Sequence, residues 1–173
     1  MPAKNLFRTI IILAIIITNI GCDQVTKNIV REKILQNATV SLLSNHLTVT
    51  NVENTGAFLS AGNSLPGAAK YILLSVLPLA VLTFGFIYVL TKQTLSPPLL
   101  LGCCFVIGGG IGNIFDRMVY GSVTDFLHIS FAGLQTGIFN MADVSIMTGA
   151  AIILTHSLIK RRNFHTGPGN KIS

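Results

Sequence analysis

The chain has 173 residues, of which 50% are hydrophobic and only 10% charged, with twelve Lys and Arg against six Asp and Glu and a net charge of +6. Soluble domains carry about 25% charged residues, so this composition excludes an ordinary water-soluble enzyme and points to one integral membrane domain over residues 1–173. Its positive balance reads as the collection of Lys and Arg on the cytoplasmic side of membrane spans, and no nucleic-acid partner is expected.

Four apolar segments, at about 6–22, 71–90, 97–116 and 138–159, are expected to span the membrane as helices. Each is long enough for a hydrocarbon core of roughly 30 Å at about 1.5 Å of rise per residue. The first is rich in Ile and ends at Cys22, before DQVTK (23–27), where Asp23 and Lys27 stand at the i, i+4 spacing of a helical ion pair. The connection over about 23–70 contains ATVSLLSNHLTVTNV, rich in β-branched residues with partial alternation, which predicts one or two strands of a small sheet between helices 1 and 2. Glu53 reads as a solvated loop residue and NTGAF (54–58) as a turn.

The third span opens on Pro97-Pro98 and ends in GGGIGNIFDR (108–117). Its glycines permit close backbone approach between membrane helices. Asn113, Asp116 and Arg117 fall at i, i+3 and i+4, one helical face, and Asp116 beside Arg117 reads as a structural ion pair. The connection over about 117–137 carries SVTDF with Asp125, and the fourth span opens on FNMAD, with Asn140 and Asp143 at i, i+3. A disordered tail follows, from about 160.

Lys4, Arg8, Lys92 and Lys160–Arg162 lie in the short segments where charge sets orientation, so both termini are expected in the cytoplasm. Every polar motif then falls at the outer face. Cys22, Cys103 and Cys104 read as small buried hydrophobes. A rival reading makes residues 1–21 a cleaved leader and Cys22 a lipid anchor, but Asn19 and Ile20 suit such a cleavage site poorly.

Ionisable residues inside membranes are costly and usually functional. Two close carboxylates in a low-dielectric site cannot both ionise easily, so one keeps a proton. The ionised partner can deprotonate a water that attacks a peptide carbonyl, while the protonated one donates to the carbonyl oxygen and then to the leaving amine. Neither metal nor cofactor is expected, since the chain has no HExxH and no Gly-rich elbow around a serine. His46 and His128 read as surface or interfacial residues, and His156 and His165 fall near the cytoplasmic end. Spacing leaves open whether Asp116 or Asp125 partners Asp143. It also leaves open a non-enzymatic membrane protein that binds an ion or proton at the same cluster.

DQVTK, NTGAF, GGGIGNIFDR, VTDF and FNMAD, in this order on a four-span scaffold, resemble the lipoprotein signal peptidases (signal peptidase II) of bacteria. The resemblance implies an all-α membrane protein of four transmembrane helices with a small periplasmic sheet between helices 1 and 2. It implies an aspartic endopeptidase of the inner membrane that cuts diacylglyceryl-modified prolipoproteins before the lipidated cysteine, in contact with membrane lipid and sensitive to the cyclic peptide antibiotic globomycin; a monomer is expected. It assigns Asp125 and Asp143 to the catalytic pair. Asn54, Asn113, Arg117, Asn140, Asp23 and Lys27 would bind or orient, with Asp116, Gly112 and Gly56 in structural roles. The family often has a second alanine in its NTGAAF motif, which NTGAF here lacks.

Overall fold

The apolar segments form four helices: α1 (Ala3–Lys33), α2 (Gly67–Thr91), α3 (Pro97–Tyr120) and α4 (Met141–Thr166). Each contains a stretch long and apolar enough to cross a membrane. The computed structural model describes residues 3–43, 46–56, 66–131 and 133–166. Residues 57–58 of the expected NTGAF turn and the end of the expected tail (167–173) lie outside the described residues.

Helix ends follow local chemistry. Arg8 on α1 donates to the carbonyls of Val89 (2.8 Å), Leu90 (3.3 Å) and Lys92 (3.0 Å), which satisfies the orphan acceptors where α2 ends. Within α2, Ile72–Val76 form a π turn. Pro78 follows it, and because a proline has no N–H to give to the carbonyl four residues back, the regular ladder cannot pass there. α3 opens on Pro97-Pro98, tolerated where the N–H groups are unpaired anyway. It closes on Gly121, whose φ of 77° is the left-handed conformation glycine adopts freely.

The core joins Ile12 and Ile16 of α1, Val89 of α2, and Cys104 and Ile107 of α3. α3 lies closest to α4. A Cβ at Gly109 would collide with the Ala142 carbonyl, and one at Gly112 would stand 2.6 Å from Asp23 Oδ2. The close backbone approach expected of GGGIG is met at Gly109, against α4, and at Gly108, where a Cβ would stand 3.2 Å from the Ile16 carbonyl of α1. The buried Ser145 hydroxyl of α4 lies 2.6 Å from Asn19 Oδ1 of α1 and 2.8 Å from the Phe105 carbonyl of α3, a polar tie between apolar helices. Outward faces carry exposed apolar side chains such as Ile17, Phe84, Met147 and Leu154.

Among the described residues, four antiparallel strands make one sheet in the order β1 (Thr39–Leu42), β2 (Leu47–Asn54), β3 (Val123–Phe131) and β4 (Leu134–Gln135). The central register pairs Val52 with Asp125, Glu53 with Thr124, and Asn54 with Val123.

Several expectations need correction. The sheet is not confined to the connection between α1 and α2, because half of its strands come from the connection between α3 and α4. Asp125, expected only within a connection, therefore sits on a strand of that sheet. α1 continues past Cys22 to Lys33, so DQVTK belongs to the helix, held there by buried polar partners described below. Cleavage before Cys22 would cut through the middle of that helix. Cys22 is exposed, whereas Cys104 is buried as expected. α4 starts at Met141, three residues later than expected (138 against 141), and stays helical to Thr166.

Candidate active site

Three asparagine amides organise the polar end of the bundle. Asn54, at the end of β2, accepts the Gly56 N–H at its Oδ1 (2.9 Å), so its Nδ2 must face the other way, toward Asp125 Oδ2 (2.9 Å). Asn140 caps α4. Its Oδ1 accepts the Asp143 N–H (3.0 Å), and Asp143 Oδ2 accepts the Asn140 N–H in return (3.2 Å), a capping-box exchange. That leaves Asn140 Nδ2 to donate to Asp125 Oδ1 at 2.7 Å. Asn113 accepts from Lys27 Nζ (2.9 Å) and donates through Nδ2 to Asp143 Oδ1 (2.9 Å). Each amide is thus oriented by a donor at its oxygen, and each turns its NH₂ to a carboxylate.

Asn140 touches both carboxylates, Asp125 Oδ1 through its side-chain Nδ2 and Asp143 Oδ2 through its backbone N–H, and the two aspartates line one cavity of about 630 Å³ with Asn54, Asn113 and Arg117. The opposite wall is apolar, built by Leu74, Leu77, Pro78 and Val81 of α2. Burial pushes the Asp125 carboxyl up to about 6; the Asn54 bond opposes this, the nearby Asp143 charge adds to it, and the Asn140 bond opposes it again. Asp143 sits in the first turn of α4, at the positive end of the helix, a setting that stabilises negative charge.

Arg117 also lines the cavity and does not pair with Asp116 as expected. Its Nη2 donates to the Gly56 carbonyl (2.8 Å) and its Nη1 to the Asn113 carbonyl (3.4 Å), while its buried Nε has no partner among the described residues. Neighbours in a helix point about 100° apart, and Asp116 faces α1 instead. There Lys27 Nζ reaches Asp116 Oδ2 at 3.0 Å and Asp23 Oδ2 at 2.7 Å, and Arg31 Nη2 reaches Asp116 Oδ2 at 3.0 Å. Asp23, Lys27 and Asp116 are fully buried and do not line the cavity. They act through other residues: Lys27 orients Asn113, and Asp23 Oδ1 accepts the Ala142 N–H at the start of α4 (2.9 Å). Gly112 makes room for the Asp23 carboxylate, and Gly56 supplies the N–H and the carbonyl that hold Asn54 and Arg117.

Sequence reading missed part of this network. Gln24 Nε2 reaches Asp23 Oδ2 (3.0 Å), Asp116 Oδ1 (3.0 Å) and the Gly112 carbonyl (3.2 Å). Glu53 is no solvated loop residue: it sits on β2 and accepts from Ser122 and Thr124, while Arg31 Nε donates to Thr124 Oγ1 (2.8 Å). The signal for Arg31 was its place one helical turn beyond Lys27. Among the histidines, His46 contacts the Ser130 carbonyl and the Phe131 ring, His128 lies on β3, and His156 meets Ser96, all away from the cavity; the His165 side chain lies outside the described residues.

A family model described as "Signal peptidase (SPase) II" matches residues 14–159. The chain is similar to proteins named lipoprotein signal peptidase from several bacteria. It is 33% identical to that of Chlorobium phaeobacteroides over 141 residues (76% of this chain, 86% of the relative). It is 30% identical to that of Desulforapulum autotrophicum over 163 residues (93% and 98%). It is 31% identical to that of Streptococcus pneumoniae over 150 residues (87% and 93%). Two solved structures, each described as a bacterial membrane enzyme, share the fold. One has a TM-score of 0.78 at 22% identity, covering 94% of both chains. The other has a TM-score of 0.74 at 24% identity, covering 85% of this chain and 92% of that one.

Proposed function

The chain belongs to the signal peptidase II family, and on that premise we propose that it cuts prolipoproteins by aspartic chemistry, with Asp125 and Asp143 as the catalytic pair. Membership makes it a multi-pass membrane peptidase that removes lipoprotein signal peptides. The assignment of the pair rests above all on one observation: two carboxylates, one held by the Asn140 side-chain amide and the other by the Asn140 backbone N–H, face an apolar-walled cavity.

Asp143, held by the Asn113 amide and the Asn140 N–H, serves as the base and takes a proton from water. Asp125, whose carboxyl is pushed up to about 6 by burial, enters protonated and donates to the scissile carbonyl oxygen. The water oxygen bonds to the carbonyl carbon and gives a neutral tetrahedral diol. The proton gained by Asp143 then passes to the leaving nitrogen, Asp125 recovers its proton from the diol, and the C–N bond breaks. Asn54 and Asn140 keep the Asp125 carboxyl aimed, and Arg117 secures the Gly56 backbone beside it.

The bond cut precedes the diacylglyceryl-modified cysteine. The single domain sits in the bacterial inner membrane as a monomer, both termini in the cytoplasm, the sheet and the carboxylates at the periplasmic face. A precursor then enters sideways from the bilayer, its acyl chains on the lipid side. Purified protein should release a mature chain beginning at the lipidated cysteine, read by the masses of both products, and should leave an unlipidated precursor intact. A cut elsewhere, or equal cutting of the unlipidated form, would contradict the proposal.

A further inference from the structure

A second cavity, of about 430 Å³, lies against the outer face of α4, and nothing above employs it. Phe139, Val144 and Met147 give it an apolar lining, edged by Thr136 and Thr148. Val144, Met147 and Thr148 are at i, i+3 and i+4, one face of α4, turned away from the face that carries Asp143 and Ile146 into the catalytic cavity. The two cavities share a wall. Ile138 lines both.

That wall is fixed, not loose. The Phe139 carbonyl accepts the N–H groups of Phe126 (3.0 Å) and Leu127 (2.8 Å), and the Phe139 N–H donates to the Leu127 carbonyl (2.9 Å). Phe126 follows Asp125 directly and Asn140 follows Phe139 directly, so the same short ladder that sets the bridged carboxylates also sets the partition.

We propose that this groove holds one acyl chain of the substrate's own diacylglyceryl group. The inference rests on the prolipoprotein reading above. If the scissile bond lies at the carboxylates, the lipidated cysteine supplies its nitrogen and its side chain starts within one residue of Asp125 and Asp143. An acyl chain leaving that sulfur has only Ile138 to pass before it meets Val144 and Met147. Lipid tails are as apolar as the groove, so hydrophobic transfer gives no advantage over the bilayer. The groove would act by shape, holding the lipid so that the neighbouring peptide bond stays in register with the carboxylates. It would thus read the presence and length of the acyl chain.

The test uses two precursors with identical peptides, one carrying dipalmitoylglyceryl and the other diacetylglyceryl on its cysteine. The acetyl groups are too short to enter the groove. Met147 is exposed, so a larger side chain there fills the groove without entering the core. Met147→Trp should lower kcat/KM for the palmitoyl precursor by about tenfold or more and leave the acetyl precursor unchanged, whereas Leu154→Trp, exposed on α4 outside the groove, should keep palmitoyl turnover. Equal loss on both precursors, or no loss on either because bulk lipid fills the groove, would overturn the proposal and spare the peptidase reading. A parent protein that cuts neither precursor would overturn both.

Discussion

Asn54, Asn113 and Asn140 share one device: a donor holds the amide oxygen, so the NH₂ can only face a carboxylate. Changing any of them to Asp would turn a second carboxylate toward Asp125 or Asp143, where like charges repel. Asn140→Asp touches both and should cost about a hundredfold in kcat, measured as turnover of lipidated precursor by folded protein. Asp125 makes a pH prediction of its own. Its folded value of about 6 lies above the ordinary carboxylate value of about 3.9. Between those limits the folded chain binds more protons than the unfolded one, so stability falls as pH rises through the window. Asp125→Asn removes that fall. It should stabilise the protein by about 1–3 kcal/mol near pH 7 and by little near pH 4, seen by thermal unfolding in micelles. In the proposed mechanism Asp125 is the acid, so kcat/KM for the parent should decline tenfold per pH unit above about 6.

Among the elements, α1 and α3 bear the buried ionic network and α4 bears Asp143. Lys27 neutralises two buried carboxylates at once. Lys27→Met leaves the buried Asp23 without its cation and Asp116 with Arg31 alone, and should cost about 3–5 kcal/mol. Gly109→Ala must push back the Ala142 carbonyl, one residue before Asp143, and should lose about 1–3 kcal/mol and much of its activity together. Gly21→Ala meets nothing within 4 Å and serves as the tolerated control. The four helices were legible in the sequence because long apolar runs have few other fates, and their placement needed only length. β3 was not foreseen, although VTDFLHISF mixes β-branched and aromatic residues in the manner of a strand. Its partner β2 is about seventy residues away in sequence, and pairing over that distance leaves no local mark. The cavity residues were recognisable as polar motifs beside apolar runs. Which acid faces which base was not: Asp116 turns to Lys27 and Arg31 because of helix packing that sequence spacing alone does not fix.

On the scale of the molecule, the fold puts a polar, bonded end on an apolar bundle whose outer faces suit lipid. The proposed orientation sets the sheet outside the cell membrane and the turn between α2 and α3 inside. In protein lacking its native cysteines, a membrane-impermeant thiol reagent should label Thr39→Cys on β1 in spheroplasts, and Lys92→Cys only after permeabilisation. The opposite pattern would invert the topology. The catalytic pair itself is tested most directly by turnover of a diacylglyceryl-modified prolipoprotein by purified parent, Asp125→Asn and Asp143→Asn proteins, each shown to be folded by its unfolding transition. Cleavage by the parent, with loss of at least about a hundredfold in each variant, is the predicted result. Turnover near the parent rate by either folded variant would contradict the two-carboxylate mechanism.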